Sequence, residues 1–199
     1  MSRAFVLGNG QSRSRLEINR LVGKGKIYAC NAVYRTFSPD YIVAVDTKMV
    51  NEICHNGYQK IGEVWTNYNK AYERFKGLNY FEPSKGWSSG PTALDMASNH
   101  GHDSIYILGF DYKGIGPEGK RVNNIYSGTP NYKREHDNAT YFGNWLRQTC
   151  TILGKNSKKR YIRVLVNDKG FIPEPFEKYG NLTHITREDF AKSFNIQLS

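Results

Sequence analysis

Five short apolar runs, each closing on an asparagine or aspartate where the chain turns, constrain this sequence more than any other feature. They are Arg3–Leu7 before Asn9, Lys26–Cys30 before Asn31, 41–45 before Asp46, 63–66 before Asn67, and Ser104–Leu108 before Asp111. Between and after them lie stretches that read as helices, at 12–21, from Asp46 to about His55, from Pro91 onward and over 137–153. A last core strand is expected at 161–166, and the tail over 182–198 holds a short extended piece and a small helix. This alternation predicts an α/β fold, Rossmann-like, with a mostly parallel sheet and helices on both faces. In open sheets of this kind ligands bind at the carboxyl ends of the strands, so the recurring polar residues mark a candidate rim. Asparagine and aspartate also suit turns and helix caps for reasons unrelated to ligands.

At 199 residues, 39% of them hydrophobic, the chain is read as one domain spanning 1–199. A Gly/Pro/Asn/Lys-rich segment over 113–135 is too long for a simple connection and reads as a lid-like insertion. No apolar run approaches the roughly 20 residues that cross a bilayer, and no signal-peptide pattern is present. Cys30, Cys54 and Cys150 are odd in number and widely spaced, which suggests neither zinc nor disulfides. These features together predict a cytoplasmic protein with inert thiols. The net charge of +10 can steer nucleic acid or a phosphorylated ligand toward the surface. The basic residues are scattered, however, and the one cluster, over 155–163, reads equally as a solvated loop before a strand.

The turn Gly8-Asn9-Gly10-Gln11-Ser12 follows the first strand and is expected to open a helix. Backbone N–H groups there, together with the positive end of that helix, would favour a nucleotide or another phosphorylated ligand. A second turn, over 86–90, leads to Pro91, placed where the first turn of a helix accepts proline. A standard dinucleotide fingerprint is incomplete, since Arg13 replaces its third glycine and Asn31 stands where an acidic ribose ligand is expected. There is no Walker loop and no spacing typical of a transition-metal site. His100 and His102 read as solvent-facing filler in a glycine-rich turn. His136 is different: it follows the long loop, just before the helix expected at 137, and could act as a general base with a near-neutral pKa. Tyr112, Tyr126 and Tyr132 could donate to a phosphate.

The order of these motifs resembles the small bacterial sialyltransferases that use CMP-sialic acid, and the related Rossmann-like group of hydroxymethylpterin diphosphokinases. It rests on Gly8–Ser12, Cys30-Asn31, Ser88-Ser89-Gly90, the run from Ile105 to Tyr112 and the histidine before a long helix, over about residues 3–154. The resemblance implies a nucleotide-dependent transferase acting on a nucleotide or nucleotide-sugar. Its nucleotide contacts would fall on Gly8, Asn9, Gly10, Ser12, Asn31, Ser89 and Gly90. Asp46 stands where that family has a second asparagine. His136 would be the catalytic base, and Tyr112 and Tyr126 would assist the leaving phosphate. Cations of the insertion, Lys113, Lys120, Arg121, Lys133 and Arg134, would steady that phosphate, and no cofactor or metal is required. The alternatives are a diphosphokinase using ATP, with magnesium held by Asp46 and Asp111, and a non-catalytic protein whose basic surface binds nucleic acid or a partner. Small chains of this type also occur in phage genomes.

Overall fold

A computed structural model describes residues 2–199. Among these residues the strands are β1 (Arg3–Leu7), β2 (Lys26–Cys30), β3 (Tyr41–Val43), β4 (Val64–Asn67), β5 (Leu78–Phe81), β6 (Ser104–Leu108), β7 (Arg160–Leu165) and β8 (Leu182–Thr186). The helices are α1 (Thr47–His55), α2 (Ser89–Asn99), α3 (Gly143–Lys155) and α4 (Arg187–Phe194). All eight strands join one sheet in the order β5-β4-β3-β2-β1-β6-β7-β8, and every pairing is parallel. The chain builds outward from β1 on one side, then returns to place β6 on its other side. The order therefore reverses between β1 and β6, where a crevice opens above the strand ends.

Alternation along the central strands sets the two layers. Phe5 and Leu7 of β1 face one core with Val50 and Ile53 of α1 and Phe190 and Phe194 of α4. Ala4 and Val6 face the other, with Ala93, Leu94 and Ala97 of α2 and Ile152 and Leu153 of α3. Helices therefore cover both faces, as expected. Among the described residues no helix is long and apolar enough to cross a membrane.

Several local expectations fail for identifiable reasons. The helix expected at 12–21 is two short 3-10 turns, Gln11–Arg13 and Ile18–Leu21. Arg15 between them adopts a left-handed backbone (φ 67°), Arg13 turns inward, and Leu16 pairs with Leu198. Tertiary polar bonds override the helical spacing there, so no helix dipole points at the turn. Pro91 is the third residue of α2, not the first. Strand β5 went unread because its residues are half-exposed at the sheet edge and lack an apolar alternation. Helix α3 starts at Gly143, so the insertion runs past 135 as turns and two bridges, Ile115 with Arg121 and Arg121 with Asn138. His100 is exposed as expected, but His102 is buried, and Tyr28 Oη lies 2.8 Å from both His100 Nδ1 and His102 Nε2.

The glycine turn after β1 interlocks with the turn after β6. Gly8 N donates to Leu108 O (2.8 Å) and Gly10 N to Gly109 O (2.9 Å). A Cβ on Gly8 would stand 2.6 Å from Gly109 O, and one on Gly109 would stand 2.5 Å from Gly8 O. Gly109 is also left-handed, at φ 72°. Gly109→Ala is therefore expected to cost about 3 kcal/mol, combining backbone strain with overpacking. Urea unfolding with an unchanged m-value would measure it.

Candidate functional site

The crevice at the strand reversal contains a cavity of about 180 Å³, lined by Asn9, Gly10, Asn31, Asp111, Tyr141 and Trp145 among others. It adjoins a hollow of about 590 Å³ lined by Asp46, Trp87, Ser89 and Asn144, the two sharing Asn31, Thr140 and Trp145. Residues from the ends of β1, β2, β3 and β6 and the start of α2 thus meet along one cleft.

Each sequence-derived candidate has a definite place. The N–H groups of Gly8, Gly10, Gln11 and Ser12 are all taken, by Leu108 O, Gly109 O, Asn123 Oδ1 (2.8 Å) and Asp111 Oδ2 (3.0 Å). The turn is therefore not an open phosphate cradle; a carboxylate of the chain already caps it. Ser12 Oγ accepts from Gly109 N (3.2 Å), which ties the two turns together. Asn9 is held at both ends of its amide, donating to Tyr132 Oη (3.3 Å) and accepting from an Arg13 Nη2 (3.1 Å). Asn31 stands apart from these. Its backbone is left-handed (φ 56°), and its Oδ1 is buried without any hydrogen-bond partner. A buried carbonyl left unpaired is costly, so its position on the cleft wall marks a site for a donor.

Asp46 caps α1, accepting from Lys48 N (2.9 Å) and Met49 N (3.3 Å). Ser89 Oγ accepts from Val45 N (3.0 Å), joining the end of β3 to α2. Gly90 lies beneath Trp145, whose ring a Cβ would meet at 2.5 Å. Helix α2 opens at Ser88 without a side-chain cap, so its N-terminus faces the larger hollow unshielded.

Tyr112 lines the first cavity with a left-handed backbone (φ 56°), but its hydroxyl is bonded to Thr149 Oγ1 (2.8 Å). Burial pushes that phenol above its ordinary pKa. Tyr126 is buried and accepts from Arg13 (3.4 Å). The Tyr112 hydroxyl is thus already committed to Thr149, and Tyr126 lines neither of the two hollows. His136 is exposed and lines none of these cavities, because the helix that was to present it begins at Gly143. Cys30 lines the first cavity as an inert thiol, pushed up to about 12 by complete burial.

Two buried arginines whose burial the sequence did not reveal stand behind these walls. Arg13 is buried, bonded to Gly8 O, Asn9 and Tyr126. Arg163, at 2% exposure, donates to Phe110 O (2.7 Å), Phe171 O (3.0 Å) and Asp111 O (3.2 Å). Among the described residues neither guanidinium has an ion-pair partner. Neither lines the two hollows of the cleft; the two buried charges sit behind its walls, Arg13 behind Asn9 and Arg163 behind Asp111, and raise the potential an anion would meet there. The signal for Arg163 was a charge inside an otherwise apolar strand. The basic cluster over 155–163 splits accordingly: Lys155, Lys158 and Arg160 lie exposed between the end of α3 and the start of β7, at the amino ends of the strands, and Arg163 turns inward. No three His, Cys, Asp or Glu side chains gather to hold a metal among the described residues, and Asp46 and Asp111 line different hollows.

Burial also sets an acid limit on stability. His184 on β8, close to Arg163, has its pKa lowered to about 4 by desolvation and then by that charge. His102 is lowered by burial as well. Both take up protons more readily unfolded, so their contribution is full above about 6.5 and declines as pH falls toward about 4. With screening of a half-exposed ring, a loss of about 1 kcal/mol by pH 5 is expected from His184. Urea midpoints at pH 7 and pH 5 would show it, and His184→Gln should flatten the dependence.

Comparison with protein-family models, with curated proteins and with solved structures returns no match to this chain.

Proposed function

We propose that the chain is a nucleotide-dependent transferase, a glycosyltransferase of the sialyltransferase-like kind, with its nucleotide in the cleft over β1, β2 and β3. The observation that carries this reading is the unpaired, buried Oδ1 of Asn31, on the wall that both hollows of the cleft share. The guanidiniums of Arg13 and Arg163, bonded behind Asn9 and Asp111 and without carboxylate partners, add positive potential to it. Asn31 Oδ1 supplies an acceptor for a base or ribose donor, and the uncapped start of α2 suits the phosphate.

In this reading Asp111 takes the role of proton acceptor. It is the carboxylate that lines the first cavity, whereas His136 stands outside it. Asp111 removes the proton from the acceptor hydroxyl as that oxygen bonds to the anomeric carbon of the donor. The bond from that carbon to the phosphate oxygen breaks, and the nucleotide departs with the electron pair. The fixed positive charge behind the cleft walls stabilises the charge that develops on it.

A thermal-shift panel tests the reading. CMP and CMP-sugars are expected to raise Tm without added metal. A rise with ATP only when magnesium is present would favour the diphosphokinase instead. Salt-sensitive binding of DNA or RNA with no nucleotide effect would favour a binding protein that uses its basic surface.

A further inference from the structure

We propose that a second cavity, on the far side of Asp111 from the nucleotide cleft, is the acceptor subsite, and that it takes a small phosphorylated sugar. This rests on the transferase reading and specifies its second substrate. The cavity, about 440 Å³, opens beside the ends of β6 and β7 and is of a size that holds a small molecule.

Asp111 and Asn123 line both this cavity and the first one. Asn123 is fixed as a partition, accepting from Gln11 N (2.8 Å) and donating to Lys113 O (2.8 Å). A carboxylate on a wall common to two hollows can address a donor in one and a hydroxyl in the other, as transfer between two substrates requires.

The chemistry of the lining selects the ligand. Lys113 and Lys169 carry no ion-pair partner among the described residues, and Arg163 forms part of the floor. Glu118, the other carboxylate on this lining, is already paired with Lys120. An anion entering here meets unneutralised cations. Phe171, 43% exposed, presents its ring at the same wall, with Lys113 Nζ 5.2 Å from the ring centroid. An apolar ring face beside a cation fits a sugar ring that carries a phosphate, with a hydroxyl left to reach Asp111.

The test is an NMR titration of glucose 6-phosphate and of glucose into the full chain, without nucleotide. Glucose 6-phosphate is expected to shift the amides of Ser12 and Lys113, with glucose binding at least about tenfold more weakly. Lys113, expected to steady the nucleotide's phosphate, lines this cavity and neither hollow of the nucleotide cleft. The Lys113→Ala/Lys169→Ala double variant should therefore weaken glucose 6-phosphate by a similar factor while keeping its folded spectrum and its nucleotide-induced Tm shift. Equal binding of both sugars, an unaffected double variant, or no binding of glucose 6-phosphate would overturn the subsite. If glucose 6-phosphate binds but no nucleotide of the panel does, the transferase reading fails and the acceptor role fails with it. Nucleotide binding without sugar phosphate binding overturns the subsite alone.

Discussion

Replacing Arg163 with alanine is expected to destabilise the fold by about 4 kcal/mol, the largest single-site effect on stability that the structure implies. The residue sits in the middle of β7 at 2% exposure, with its guanidinium near the ring faces of Tyr112 (5.1 Å) and Phe176 (5.8 Å). Alanine removes three donors at once: it strands the buried carbonyl of Phe110, at about 1–3 kcal/mol, and leaves the part-buried carbonyls of Asp111 and Phe171 unpaired at a smaller cost. The cavity left in the core adds to this. Relief of the desolvated charge offsets part of this. Lysine should not rescue, because a single ammonium cannot reach three carbonyls in the plane of the guanidinium fork. Urea unfolding at pH 7 measures the difference. A loss below about 1 kcal/mol would show that the turn after β6 holds its shape without Arg163.

Asp111→Asn is expected to lower turnover by about 10² to 10⁴, the range for removal of a general base. The fold should survive, since the amide oxygen of asparagine can still accept from Ser12 N–H. His136→Ala should change turnover by less than about twofold, because an exposed group outside the cleft cannot reach a bound hydroxyl. The two variants, assayed for transfer with the donor that gives the largest thermal shift, separate the competing assignments of the base. The reverse pattern, loss with His136→Ala and activity retained in Asp111→Asn, would mean that the insertion closes over the cleft and carries the histidine in.

The parts of the fold that were legible in the sequence are those set by local pattern. Buried parallel strands need apolar runs whatever lies around them, so β1, β2 and β6 matched their expected spans residue for residue. Segments decided by distant partners were not legible. The 12–21 stretch has helical spacing, yet Ser12 is bonded to residue 109 and Arg15 to Ser199, and the helix does not form. The glycines at 8 and 10 looked like a phosphate turn, but packing against a turn about a hundred residues later accounts for them.

The site shows the same division. Asn31 and Ser89 lie on one connected cleft because strand ends converge there by topology. Their bonding states could not be read: Ser89 and Asp46 serve β3 and α1, whereas Asn31 keeps an unpaired carbonyl. The buried positive charge was hidden because Arg13 and Arg163 look like two more surface cations in a chain of net charge +10.

Calorimetric titration of CMP into the wild-type chain and into Asn31→Gly is the most direct test of the cleft. Glycine accepts the left-handed backbone at position 31 while removing the unpaired amide. Wild type should bind CMP, and the variant about tenfold more weakly, the loss of one buried hydrogen bond, with the Tm of the unliganded protein unchanged. Equal affinities, or no heat of binding to the wild-type chain, would contradict the assignment.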